Sequence, residues 1–388
     1  MIEIILYFLI LGLGGIVLIV YILYPLFISR LSFVVPKEPH VFAEDTVIYH
    51  LVPLYNEESV IREKIENCLS LQAPHKLMTV VVIDESSDKT SQIAKEFAEK
   101  FPEQLVVIDK GYRKGKNDSL NVAIKKMKPA ENDILFFSDS NTMFETNGFE
   151  YLYQEMQKGY GLVGGAMSYF DETTGTAKSE GLYWRYEEWI RQSEAKIGKC
   201  IVVNGGNFAM LARYIKELPT YVPNDLEAPL RLCGAGVPVG FTKESKGFEK
   251  AVENADEELS RKKRMANRQM NCIRYLWEGL NFDTKVRITI RKTFRWMGVH
   301  IFFTVFFLAL LGVVLFSSIF FWLAFFATGA VVSVIVIGLL LHKIGVHNKI
   351  TSAIYHAVMV HVNSFKGMMS SVFGEKVSTW DAAKSNRS

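Results

Sequence analysis

Two short polar clusters, each placed directly after an apolar run, are the residues most able to do chemistry. Val82-Ile83 leads into Asp84-Glu85-Ser86-Ser87-Asp88, and Ile134-Leu135-Phe136-Phe137 leads into Ser138-Asp139-Ser140-Asn141. A carboxylate and a carboxamide two residues apart offer oxygen ligands of the kind that Mg2+ or Mn2+ prefers. The same residue types also suit turns, Asx turns and helix N-caps. The elements that position the clusters sharpen the choice. Val47–Val52, Thr79–Ile83, Leu105–Ile108 and Ile134–Phe137 read as strands, and Thr79–Ile83 is unbroken apolar sequence, as in a strand buried on both faces. Glu57–Leu69, Thr90–Phe101 and Ser119–Met127 read as helices. Strands alternating with helices predict a mostly parallel α/β sheet, and such sheets bind ligands beyond the carboxyl ends of their strands, where both clusters stand.

The 388 residues carry 44 Lys and Arg against 41 Asp and Glu, a net charge of +3. That balance argues against nucleic acid as a partner, which needs a concentrated basic surface. The hydrophobic share of 49% excludes a disordered chain. Cys68, Cys200, Cys233 and Cys272 form no CxxC pair, so buried free thiols in a reducing compartment are expected rather than a zinc site or disulfides.

The apolar residues are concentrated. Ile4–Ile28 contains no charged side chain and is long enough to cross a bilayer; without Lys or Arg before it or a small-residue cleavage site after it, it reads as a retained span over 1–28. Trp296–Leu341 also lacks Asp, Glu, Lys and Arg, and predicts two transmembrane helices over 296–342 with a turn near Ser317 and Ser318. The basic flanks, Arg30 and Lys37 on one side and Arg287, Arg291, Lys292, Arg295, Lys343 and Lys349 on the other, place 29–295 in the cytosol of a multi-pass cell-membrane protein. Residues 350–373, with His356, His361 and Lys366, read equally as a third span or an interfacial helix, followed by a tail over 374–388 with Lys376, Lys384 and Arg387. The spacing of His356 and His361 suits no shared metal. Arg268, Arg274, Arg287, Arg291 and Arg295 read as membrane-surface charges, and the aromatic stretch Tyr183–Arg191 suits either the membrane interface or the domain core.

Seven segments in order resemble the motifs of family 2 glycosyltransferases. Pro53-Leu54-Tyr55-Asn56-Glu57-Glu58 resembles PxYNEE, the Asp84 cluster resembles DGSTDGT, and Gly115–Asn121 resembles GKxxALN. Ser138–Thr142 resembles SDANT, a variant of the metal-binding DxD. Asn204-Gly205-Gly206-Asn207 is similar to the acceptor-side glycine loop, Pro223-Asn224-Asp225 to the segment that carries the base, and Glu258–Met265 stands where QxxRW is found. With flanking membrane spans, the chain is similar to membrane synthases of cellulose, hyaluronan and chitin oligosaccharides.

The resemblance implies a GT-A, Rossmann-like cytosolic domain with interfacial helices toward its C-terminal end. It also implies inverting hexosyl or N-acetylhexosaminyl transfer from a nucleotide sugar, a UDP-sugar first, with Mg2+ or Mn2+. Pro53, Tyr55, Glu57 and Asp84 would hold the base and ribose; Lys116, Arg261 and Arg264 the diphosphate; Asp139 and Asn141 the metal. Asn204, Gly205, Gly206, Asn207 and Met265 would face the acceptor, and Asp225 would take its proton. Arg261–Arg264 also suits a lipid-facing basic face. The departures are specific: Asn141 replaces the second acid of DxD, Glu85 a glycine, Asn224 an acid, Arg261 a Gln and Met265 a Trp. The expected product is a surface polysaccharide or oligosaccharide. The alternatives are a single transfer to a lipid carrier or glycolipid, which Met265 favours, and a non-catalytic nucleotide-sugar-binding partner. So few spans make a narrow channel, so a polymer would call for a homo-oligomer or an export partner.

Overall fold

The computed structural model describes residues 1–31, 38–170, 175–250, 255–346 and 348–379, with backbone alone for 169–170, 175–184, 255–256 and 349. Lys37, Lys384 and Arg387, and the side chains of Tyr183, Trp184 and Lys349, fall outside the described residues.

The chain begins with α1 (Ile2–Leu18), which passes through a π-helical turn at Ile19–Leu23 into α2 (Tyr24–Arg30). Pro25 has no N–H to give its preceding turn, and the wider turn accommodates that gap. The α/β unit then runs β1 (Val47–Leu54), α3 (Ile61–Ser70), β2 (Lys76–Ile83), α4 (Thr90–Lys100), β3 (Leu105–Asp109), α5 (Lys116–Met127) and β4 (Ile134–Phe137). It continues through β5 (Met143–Phe144), α6 (Gly148–Gln157), β6 (Leu162–Phe170), α7 (Gly175–Lys196), β7 (Phe208–Leu211), α8 (Asn224–Gly234) and β8 (Val239–Lys250). The remainder is helical: α9 (Ala255–Leu276), α10 (Phe282–Ile288), a second π-helical turn at Thr289–Phe294, α11 (Arg295–Phe316), α12 (Ile319–Lys343) and α13 (Lys349–Val372).

Among the described residues one eight-stranded sheet has the order β3-β2-β1-β4-β7-β6-β8-β5. The half formed by β3, β2, β1 and β4 is parallel, whereas β7 runs antiparallel to both β4 and β6. Alternation along the strands sends side chains to opposite layers. Leu51, Val80 and Val82 pack with Leu120 and Ala123 of α5, while Val52, Val81 and Ile83 pack with Ile61 and Ile65 of α3 and Ala94 and Phe97 of α4. All four cysteines are buried free thiols.

The segment before α3 departs from the expected helix start at Glu57. The Glu57 amide donates to Thr90 Oγ1 at 2.8 Å and the Asn56 amide to Ser86 Oγ at 3.0 Å, while Asn56 Oδ1 accepts from the Ser87 amide at 2.8 Å. These bonds tie the ends of β1 and β2 together and delay the helix to Ile61. Asn56 and Glu85 both adopt φ near +50°, a region Asn enters readily and Glu does not. Glu85 therefore carries local strain where the family motif has glycine.

Among the described residues three helical segments are long and apolar enough to cross a membrane: Ile2–Arg30, Phe282–Phe316 and Ile319–Lys343. α13 is not among them. It lies along α9, so close at Gly367 that an added Cβ would stand 2.0 Å from the Lys263 carbonyl oxygen. Asn267 Nδ2 donates to Ser370 Oγ at 2.7 Å, and Arg274 donates to the Ser371 carbonyl.

The arginines expected at the membrane surface are largely interior. Arg268, Arg287 and Arg291 are buried, and Arg274 alone of the five is exposed. Arg291 Nη1 reaches Glu187 Oε2 at 3.0 Å and its Nε reaches Glu194 Oε1 at 3.0 Å. Tyr24 Oη donates to the same Glu194 oxygen at 2.6 Å, and Arg295 pairs with Glu187. The Tyr186 hydroxyl donates to the Tyr21 carbonyl at 3.0 Å, which seats that part of the aromatic stretch against the N-terminal helix. A buried guanidinium is tolerated only with such partners, and removing it leaves Glu194 with the Tyr24 hydroxyl alone and Glu187 with Arg295 alone. Arg291→Met is expected to lower stability by about 3–5 kcal/mol, read as a fall in the thermal midpoint of the detergent-solubilised protein. An unchanged midpoint would show that the network does not hold the helices to the sheet.

Candidate active site

At the carboxyl ends of the parallel strands lies an open cavity of about 330 Å³. It gathers Pro53, Tyr55, Glu57, Asp84, Lys116, Asp139 and Asn141 from the sheet side. Asn204, Gly205, Gly206 and Asp225, with Arg261, Arg264 and Met265 of α9, face them. Asn207 is the exception. Its Nδ2 donates to the Ala166 and Ser245 carbonyls at 3.0 and 3.1 Å, and it is wholly buried behind the loop. The expected acceptor contact is corrected: Asn207 braces the glycine turn, because its amide is consumed by the backbone of β6 and β8.

Asp84, at the end of β2, has both oxygens engaged. Oδ1 accepts from the Lys114 amide at 2.9 Å and lies 2.7 Å from Lys110 Nζ; Oδ2 accepts from the Gly115 amide at 2.8 Å. Its carboxylate thus shapes the 110–116 loop as well as the cavity floor. Gly115 has φ +91°, and a Cβ there would meet the Ser378 carbonyl oxygen at 2.8 Å, so the turn and the close approach both require glycine. The Arg113 guanidinium lies 3.8 Å from the centroid of the Tyr55 ring, a cation–π contact over one face of the tyrosine.

Lys116, in the first turn of α5, pairs with Asp139 Oδ1 and donates to the Gly205 carbonyl at 3.2 Å. Glu57 Oε1 accepts from Ser140 Oγ at 2.7 Å, which fixes the residue between Asp139 and Asn141. Beneath this turn the buried Lys64 ammonium donates to the Thr142 carbonyl and stands over the Phe144 ring. Burial lowers its pKa, and Cys68, Asp139 and Glu249 act against that shift. Thr142 Oγ1 donates to Glu249 on β8.

The glycine pair separates three carboxylates. Asp225 Oδ2 lies 3.4 Å from where a Gly205 Cβ would stand, and Asp139 Oδ2 and Glu249 Oε1 each lie 3.3 Å from a Gly206 Cβ position. A side chain at either glycine would fill the space between them. Asn204, one residue earlier, is anchored by Arg191 and donates to the Gly165 carbonyl at 2.6 Å. Burial pushes the Asp225 carboxyl above its ordinary value; Lys116, Lys292 and Arg268 oppose the shift and Asp139 adds to it.

On α9 the cavity residues Arg261, Arg264, Met265, Arg268 and Gln269 follow a helical i, i+3, i+4, i+7, i+8 stripe, which is why one face meets the site. Burial brings Arg264 and Arg268 down to about 10, so both stay cationic at neutral pH. Arg268 and Gln269 were recoverable from that spacing. Arg113, Glu249 and Thr379, which also line the cavity, arrive through tertiary packing and had no local signal. Thr379 belongs to the segment after α13. Ser378 of that segment is 3.5 Å from Arg268 Nη1, and Glu375 accepts from Asn267 and Asn271.

Comparison with known proteins agrees with this geometry. Residues 50–218 match the Glycosyl transferase family 2 profile. The chain is 26% identical over 218 residues to the probable glycosyltransferase YdaM of Bacillus subtilis (strain 168), covering 53% of this chain and 51% of that protein. It is 28% identical over 111 residues to the poly-beta-1,6-N-acetyl-D-glucosamine synthase of Staphylococcus epidermidis, covering 29% of this chain and 26% of that one. The matches thus span about half or less of these curated relatives. The fold resembles that of the mannosyltransferase PcManGT from Pyrobaculum calidifontis, solved in complex with GDP-Man and Mn2+. The TM-score is 0.67 at 16% identity, over 97% of this chain and 100% of that one. Residues 50–218 therefore carry a glycosyl transferase family 2 domain, within a chain whose fold is GT-A-like.

Proposed function

We propose that the chain transfers a sugar from a nucleotide sugar to a hydroxyl acceptor at the cytosolic face of a membrane, with inversion at the anomeric carbon. The observation that carries this reading is the placement of Asp225 across the Gly205-Gly206 turn from Asp139, with Lys116 between them. Tyr55 and Glu57 line the sheet side of the cavity, where the nucleoside would lie, and Lys116, Arg261, Arg264 and Arg268 would hold the diphosphate. A UDP-sugar is the first donor to try and a GDP-sugar the second, since the structural neighbour holds GDP-Man.

Asp139 and Asn141 fit Mg2+ or Mn2+ through their oxygens. Both side chains line the cavity, and they would hold the ion together with the substrate. When bound, the cation supplies charge neutralisation for the departing diphosphate. The chain's own guanidinium and ammonium groups act on the same charge. Asp225 accepts the proton of the attacking hydroxyl. Met265, an aliphatic side chain on the acceptor side of the cavity, offers no ring face for a sugar to stack on, which favours a single transfer to a lipid carrier or glycolipid over polymerisation. The basic flanks of the apolar helices support a cytosolic catalytic unit, and the seating of α13 along α9 supports an interfacial rather than a spanning helix.

Screening UDP-, GDP- and dTDP-sugars for nucleoside diphosphate release by the solubilised protein is expected to identify one donor, with release lost on chelation and in Asp139→Ala. Release that persists under chelation would exclude the assigned metal role. Because burial raises Asp225, the acid limb of the pH–rate profile is expected above the ordinary aspartate value of about 3.9. Activity is full above that raised pKa and falls as pH drops through it, because the base must be ionised. A limb at or below the ordinary value would contradict the assignment of Asp225 as the base.

A further inference from the structure

Beside Asp225 stands a second side chain whose chemistry is unspent. Asn224 opens α8, is 4% exposed and lines the cavity. Among the described residues its Nδ2 finds no hydrogen-bond partner. A buried amide nitrogen without an acceptor is unfavourable, and the side chain's χ2 torsion is soft, so a turn about it presents the nitrogen to an oxygen arriving in the cavity. The neighbouring cations are already committed. Lys116 serves Asp139 and the Gly205 carbonyl, and Arg268 Nη2 donates to the Val222 carbonyl at 2.6 Å.

We propose that Asn224 binds the acceptor: its carboxamide N–H donates to the oxygen of the hydroxyl whose proton passes to Asp225. The inference rests on the transfer reading above and extends it to the recognition of the nucleophile. A hydroxyl oxygen can accept from Asn224 while its own hydrogen points at Asp225, so the adjacent pair selects a neutral alcohol and aims it. In the reaction that oxygen bonds to the anomeric carbon and its proton goes to the Asp225 carboxylate. The bond from the anomeric carbon to the diphosphate oxygen breaks, and its electron pair leaves with the nucleoside diphosphate. A carboxylate at position 224 accepts but does not donate, so it cannot take this place.

The test uses the full-length protein in native membranes, which supply acceptor, with the donor found by nucleotide release. Asn224→Ala and the near-isosteric Asn224→Asp are compared with wild type for label transfer and for nucleoside diphosphate binding. Transfer is expected to fall roughly 10- to 100-fold in both, with nucleotide affinity unchanged. Wild-type transfer by either variant overturns the assignment. So does a loss that nucleotide affinity follows in parallel, since that places the residue on the donor side or in the fold. The wild-type control separates the two claims: absence of transfer by wild type counts against the transferase reading, whereas equal transfer by wild type and variants counts against Asn224.

Discussion

The Arg291 guanidinium, enclosed by Glu187 and Glu194, is the contact through which the membrane-length helices and the sheet become one structure. It lies in the π-helical turn between α10 and α11, and its partners lie on α7. Tyr24 of the N-terminal helix closes the same network on Glu194. One turn from Glu187 on α7, Arg191 holds Asn204, the residue that begins the glycine turn of the active site. The same helix therefore faces the membrane-length helices at one point and the glycine turn of the cavity at another. Burying these charges is tolerable because each carboxylate has a cation, and the same requirement fixes where the helices sit.

The cavity obeys a related rule. Its anionic groups are divided by backbone rather than by distance alone, with Gly205 and Gly206 standing between Asp225 on one side and Asp139 and Glu249 on the other. Lys116 spans the division by reaching Asp139 and the Gly205 carbonyl together. Burial makes Asp225 more basic than an ordinary aspartate, and Lys116, Lys292 and Arg268 oppose that shift. The cationic stripe of α9 is held at the opposite wall by the packing of α13, so these two helices complete a cavity that the sheet begins.

Much of this was legible in the chain. The parallel strands, the polar turns at their ends and the ordered motifs located all but one of the anticipated site residues on a single cavity wall or another, because short-range pattern determines strand ends and strand ends determine such sites. Asn207 faces away from the cavity because neighbours in a tight turn can face opposite ways, and only the backbone of β6 and β8 shows which. Arg291 and Arg295 read as surface charges in the sequence because their partners Glu187 and Glu194 are about a hundred residues earlier, and Arg268 because the carbonyl it meets, Val222, is on another element. Glu249 and Thr379 were invisible for the same reason: their place depends on long-range pairing and on the return of the chain after α13.

In the proposed reaction Asp225 accepts the proton during sugar transfer. The most direct measurement follows label from the nucleotide sugar into the membrane fraction by wild type and by Asp225→Asn, with donor binding measured on both. Donor binding is expected to be unchanged and transfer reduced on the order of 10²–10⁴-fold in the variant. Transfer by Asp225→Asn at the wild-type rate would contradict that role of Asp225.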